Sequence, residues 1–486
     1  MVESIQPIWA EIAIWVYILF FNSIALALFL NAIDDFFVDC VYTLRRVYRA
    51  LVVFPRFGRA CAHSMRDYRK PQKAFAICVP AWDESAVIAQ MLERAVRDLR
   101  YDNYRIFVGV YRNDLATRQA IEGLQKRNGD CAHRVCVVDH DAIGPTCKAD
   151  CLNAIYRYIN EIDDWARKAN VRGIILHDAE DILHPSELVV FNHLIDRADI
   201  IQLPVTPLPR PVFDLVGGHY LDEFSESHTK DMVVREALGC PLPSAGVGCA
   251  FSSEGLQTLA MVRENGPFDT RSMTEDYDIA FDLTGHGFNS IFVRLPSKRG
   301  ERSYVATQEY FPNSFRDAVK QKGRWLLGIV LESWHHRGWQ GHWAQRYMLW
   351  RDRKALLTSM AAMAAYVLLA LFGIWWVTSP QEARTAGMAR LVPEGSLIWW
   401  ILAANLFFLI NRVLHRFAFV YRSYGLAQAL VSPLRIVVGN VVNFAAALRA
   451  ARLFSQARRS GAKQTWHKTR HQIPLPSTAL KLPGSR

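Results

Sequence analysis

Apolar residues follow two regimes along this chain. Long charge-free runs lie near its start and in its last third, and between them apolar residues recur in short strand-like and helix-like groups. No charged residue lies between Glu11 and Asp34, so 12–33 is long enough for one helical membrane span. The run has no basic leader and no small-residue cleavage site, which predicts a retained anchor. A second run, 355–381, predicts a span over 355–377. A third starts near Gly395 and extends toward Val420 if Arg412 and Arg416 snorkel.

Lys and Arg bias sets the direction of these spans. Arg45, Arg46, Arg49, Arg56 and Arg59 follow the first, which puts the N-terminus outside, 34–354 in the cytosol and the 378–394 loop outside. The stretch 423–448 is apolar but carries Pro433, Arg435, Asn440 and Asn443, with uncharged runs of only 12 and 13 residues on either side of Arg435. A crossing there would strand Arg449, Arg452, Arg458, Arg459 and Lys463 outside. The expectation for 421–486 is therefore an interfacial helix and a basic cytosolic tail.

The middle region alternates. Strand-like runs at 74–79, 105–111, 135–138, 173–176 and 200–203 are separated by helix-like spacing at 86–99, 117–125, 148–159 and 186–195. This predicts an α/β fold: a mostly parallel sheet with helices on both faces. Ligands bind at the carboxyl ends of such strands. Polar residues gather there: Asp83 and Glu84, Asn113 and Asp114, Asp139 and Asp141, Asp178 and Glu180.

Composition narrows the partners. Apolar residues make up 51% of the chain and the net charge is +11. There is no zinc-finger spacing and no RNP-like motif, so nucleic acid is not expected. The basic residues crowd beside the apolar spans, which predicts anionic lipid headgroups as the partner. Nine cysteines without a framework read as reduced thiols.

Five motifs could carry chemistry. The H-D-A-E-D at 177–181 offers hard oxygen ligands, Asp178 and Glu180, for Mg²⁺ or Mn²⁺ with substrate phosphates, although the same acidic turn could simply cap the next helix. His177 would orient this turn. In T-E-D, 274–276, Glu275 and Asp276 are candidates for a base, and equally for a helix cap. Q-K-G-R-W, 321–325, lies on an amphipathic helix near 314–334, where Arg and Trp also serve as interface anchors. P-A-W-D-E, 80–84, ends the first strand and reads as a turn. G-P-T-C-K-A-D, 144–150, opens a helix whose amides and Lys148 could hold a phosphate.

In their order and spacing these motifs resemble the family 2 glycosyltransferases of the cellulose, chitin and hyaluronan synthase type, over about residues 74–335 and the flanking spans. The resemblance implies a GT-A fold and an inverting, divalent-metal-dependent hexosyltransferase in a bacterial inner membrane, multi-pass, with a periplasmic N-terminus. The donor would be a UDP-sugar, such as a UDP-N-acetylhexosamine, and the acceptor a growing envelope or extracellular polysaccharide. It also implies the residue roles. Pro80, Ala81, Asp83 and Glu84 would surround the uracil, with Asp114 and Lys148 on the nucleoside or phosphates. Asp178 would contact the nucleotide and metal, and Glu180 the metal. Asp276 would be the general base beside Glu275. Gln321 and Arg324 would close over the diphosphate, and Trp325 would face the acceptor sugar. A polyprenyl-phosphate acceptor and a non-catalytic scaffold of an envelope complex are the alternatives.

Two substitutions depart from the pattern: Arg112 where relatives have Pro, and Lys322 where synthases have Arg. Relatives also carry a cyclic-di-GMP-binding domain after the last span, for which the roughly 65 residues here are too few, so activation in cis is not expected. Three spans form a thin channel, leaving room for an export partner or an oligomer.

Overall fold

The computed structural model describes residues 8–65, 71–301 and 303–460. The expected basic tail beyond 460, Lys463 included, lies outside the described residues.

The described residues form nine strands: β1 (Phe75–Ala81), β2 (Tyr104–Tyr111), β3 (Val135–His140), β4 (Gly173–Leu176), β5 (Ile200–Gln202), β6 (Val205–Pro207), β7 (Cys249–Ser252), β8 (Ser290–Phe292) and β9 (Thr307–Glu309). Seven make one sheet in the order β3-β2-β1-β4-β7-β5-β8, and β6 pairs with β9. The expected parallel ladder holds for β3-β2-β1-β4. β7 runs antiparallel between β4 and β5.

Every residue of β1 is buried, because helices cover both faces of the sheet. The two-residue period splits the core. Phe75, Ile77 and Val79 meet Ile106 and Val108 on one face, while Ala76 and Cys78 meet Phe107 on the other. The parallel pairing aligns the ends of β1, β2 and β4, so the loops carrying Asp83, Asp114 and Asp178 leave the sheet on one side.

Four helices among the described residues are long and apolar enough to cross a membrane. They pack together: Ile8–Tyr48 lies against Ala355–Thr378 and Leu397–Tyr424, and Leu426–Ser460 lies against the same two. Tyr17 donates to the Leu368 carbonyl (3.1 Å) and Asn405 to that of Ala25 (2.9 Å). At the base of this bundle Asp34 accepts from Tyr347 (2.6 Å) and Arg351 (2.7 Å) and pairs with Lys354.

The fourth is where the sequence reading needs amendment. The charge of Arg435 divided the run on paper, yet Leu426–Ser460 is one unbroken helix through Pro433. The reason is that Arg435 is fully buried and neutralised. Its guanidinium forks onto Asp222 (3.0 and 2.7 Å) and reaches Gln428 (2.6 Å). The apolar window of this helix is 39% buried against the rest of the protein, compared with 6%, 11% and 11% for the other three. It is therefore the one that lies most on protein.

Candidate active site

The strand ends are braced before they can bind anything. Asp114 caps the helix Leu115–Arg127 by accepting the Thr117 N–H (3.2 Å), and its other oxygen accepts the Asp83 N–H (2.5 Å). Asp83 has φ 55°, a left-handed turn that this bond holds. Asn113 clamps Gly144 through both its amide atoms (2.9 and 2.8 Å), fixing the loop that leads to Lys148.

The H-D-A-E-D turn is held from below. His177 is fully buried, with Asp181 on Nδ1 (2.8 Å) and Glu187 on Nε2 (2.7 Å). Burial works against its charge. The two carboxylates outweigh that and raise its pKa to about 10, so it carries both protons. Asp181 is thereby committed to the turn and also accepts the Asp178 N–H (3.0 Å). Asp178 and Glu180 line a cavity of about 620 Å³.

That cavity gathers most of the expected residues. Pro80, Glu84, Lys148, Asp178 and Glu180 line it from the strand ends, and Glu275 and Asp276 from the start of the helix Glu275–Gly285. Gln321, Arg324 and Trp325 reach it from the helix Phe315–Trp325. Ala81, Asp83 and Asp114 do not line it; Ala81 is core and the other two brace the turn.

The electrostatics centre on Lys148. Its Nζ lies 2.6 Å from Asp178 Oδ1. Burial opposes its charge, but Asp178, Glu275 and Asp276 together hold its pKa above that of an ordinary lysine. Burial and then Asp276 push Glu275 up to about 8. Burial also raises Asp276, with Lys148 and Arg324 pulling the other way. A half-buried carboxylate with a raised pKa, close to the charges of Lys148 and Arg324, can take a proton.

Sequence reasoning passed over Gly246. Its φ is +76°, and a Cβ there would fall 2.6 Å from Asp276 Oδ2 and 3.4 Å from Lys148 Nζ. Only glycine suits both the conformation and the approach. The P-S-A-G-V-G run at 243–248 was the available signal. Lys322 is also accounted for. It is buried and bound to Glu223 (2.5 Å) and Asn443 (2.8 Å), so it ties this helix to the terminal one. Gln321 Oε1 is buried with no hydrogen-bond partner among the described residues. Trp325 stands edge-on to Tyr220 and Phe311, with centroids 6.2 and 6.4 Å away.

Asp178 and Glu180 fit a hard divalent cation as a two-carboxylate set. Among the described residues no group of three or more His, Cys, Asp or Glu is placed to hold a metal. Substrate phosphates would have to complete the shell, as Mg²⁺ commonly arranges.

A mostly parallel α/β sheet thus carries a cavity at its carboxyl edge, with the D-x-E, T-E-D and Q-x-x-R-W groups around it and long apolar helices on either side. Residues 173–378 match the family described as Glycosyl transferase family group 2. The chain is similar to the bacteriophage adsorption protein B of Escherichia coli (strain K12), at 39% identity over 488 residues and 95% of this chain. It matches the bacteriophage N4 adsorption protein B of Escherichia coli O157:H7 to the same extent. It spans 63% of the length of each of these relatives. Among solved structures it resembles a mannosyltransferase from Pyrobaculum calidifontis in complex with GDP-Man and Mn²⁺ (15% identity, TM-score 0.47, 81% of this chain and 98% of that one). It also resembles a glucosyl-3-phosphoglycerate synthase from Mycobacterium tuberculosis in complex with Mn²⁺ and UDP-Glc (15% identity, TM-score 0.29, 50% and 76%).

Proposed function

We propose that this protein transfers a sugar from a UDP-sugar, such as a UDP-N-acetylhexosamine, to a growing envelope or extracellular polysaccharide, with inversion. The observation that carries this reading is the placement of Asp276, Lys148 and Arg324 around one cavity with Asp178 and Glu180. Asp276 takes the proton of the acceptor hydroxyl. Lys148 and Arg324 face the diphosphate that leaves, and Gln321 supplies a buried amide beside it. Trp325 offers an apolar platform for the acceptor ring. A Mg²⁺ or Mn²⁺ on Asp178 and Glu180 would supply charge stabilisation at the phosphates. One base and no second nucleophilic carboxylate in a placed role support a single displacement, hence inversion.

The catalytic domain, 34–354, is read as cytosolic under a bacterial inner membrane. The spans are those of 12–33 and 355–420, with the terminal helix interfacial. Its burial against protein and the pairing of Arg435 inside the fold support that placement.

The test is transfer from labelled UDP-sugars by membranes containing the protein, with and without Mg²⁺ or Mn²⁺. Divalent-dependent incorporation into polymer is expected. No transfer from any donor would overturn the reading, and lipid-soluble label would reassign the acceptor to a polyprenyl phosphate.

A further inference from the structure

The two motifs that face each other across the cavity, T-E-D and Q-K-G-R-W, come from different helices. Within the cavity the charge of Arg324 acts on Glu275 and Asp276. Outside it, the helix Glu275–Gly285 is bolted to the turns that continue from Trp325, namely Leu326–Glu332 and Ser333–Arg337. The hub is Asp278, which is buried. It accepts from Ser272 Oγ (2.7 Å), Ser333 Oγ (3.0 Å) and Arg337 Nε (2.6 Å). Arg337 then forks onto Asp282 (2.6 and 2.8 Å), one helical turn further along. Residues i and i+4 share a helix face, so two carboxylates of the base-bearing helix grip one guanidinium.

Two more contacts fix the register. The Met273 N–H donates to Glu332 (3.2 Å). Gly328 packs on Thr274 so closely that a Cβ would lie 2.4 Å from Thr274 Oγ1. The segment 326–332 is a π-helix, a wide turn of the kind that is frequent at functional sites. A wide turn needs external support to hold one geometry, and Asp278 with its partners supplies it.

We propose that Asp278 is a positioning residue. Through Ser333 and Arg337 it sets the spacing between Asp276 and the Gln321–Arg324–Trp325 group. This rests on the transferase reading above. The polar contacts lie outside the donor-phosphate side of the site, where Lys148 and Asp178 are held by other elements. Loosening the clamp should therefore disturb the reaction and leave nucleotide binding in place.

The test uses the full chain in membranes or nanodiscs, with D278N, R337K and S333A. For D278N and R337K, kcat is expected to fall by at least roughly tenfold, since a misplacement of about 1 Å can cost ~10²-fold. The donor KM and the affinity for UDP should stay within about twofold of the parent, as uniform binding is untouched. Amide hydrogen exchange should speed up at 326–333 and 273–278 and stay unchanged in β1–β4. A folded variant with unchanged kcat, or UDP affinity falling in step with kcat, would overturn the proposal. If D278N does not fold, S333A decides, because it removes one donor without stranding a charge. If the parent transfers sugar from no UDP-sugar, the function reading falls, and exchange at 326–333 alone judges the clamp.

Discussion

Lys148 Nζ lies 2.6 Å from Asp178 Oδ1, joining the helix after β3 to the turn after β4. This cation sits among three carboxylates: Asp178, Glu275 and Asp276. Replacing it by methionine, K148M, removes the charge and keeps most of the volume. The expected loss in kcat/KM is about 10²–10³-fold, typical of losing one group that stabilises developing charge. Steady-state kinetics with the labelled donor checks it.

Asp276 is held above the ordinary aspartate range by burial, and Lys148 moderates the rise. A base works only when ionised, so the rate should fall as pH drops through the raised value. The acid limb of the kcat/KM profile is expected clearly above about 4, the ordinary aspartate value. In K148M the limb should move further up, because the moderating charge is gone. An acid limb near 4 in both proteins would remove Asp276 from the role of base.

D276N keeps the shape of the side chain and removes its basicity. Transfer should fall by roughly 10²–10⁴-fold, the usual contribution of a general base. Binding of UDP, measured by calorimetry, should change little. Full retained activity would leave the base to be sought elsewhere.

His177 links stability to pH. Its pKa is raised to about 10 in the fold, against about 6.5 for a free histidine. Protons are thus bound more tightly by the folded state. The stabilisation is fully present below about 6.5 and is lost as pH rises through about 10. H177N strands Asp181 and Glu187 and should destabilise the domain by about 3–5 kcal/mol, the range for breaking a buried pair. Thermal melts across alkaline pH should slope downward in the parent and flatten in the variant.

G246A introduces a methyl 2.6 Å from Asp276 Oδ2, at a φ of +76°. The strained backbone costs about 1–3 kcal/mol. The displaced carboxylate should lower kcat by roughly tenfold or more, as small misplacements do. A variant that melts like the parent and still turns over normally would show that Asp276 tolerates movement there.

The D-A-E-D turn was readable from the chain because a buried apolar run, 173–176, delivers it directly to a strand end. The same holds for Asp83, Asp114 and Lys148, each at the close of a strand or the start of a helix. The role of Asp114 was not readable. Its brace to Asp83 spans 31 residues, and the sequence names only a polar residue at a strand end. β7 was also passed over, because four residues after a proline- and glycine-containing loop show no periodicity to detect.

Local pattern by itself determined the strand–helix alternation, three of the four long apolar helices and the order of the motifs, because periodicity and charge spacing act over a few residues. Tertiary structure decided what no local rule encodes. It joined Lys148 to Asp178, opened room for Asp276 at Gly246, and buried Arg435 against Asp222, 213 residues away. A charge that reads as a break in an apolar run is tolerated inside one continuous helix once a distant carboxylate neutralises it, and that partner is chosen by packing of the whole chain.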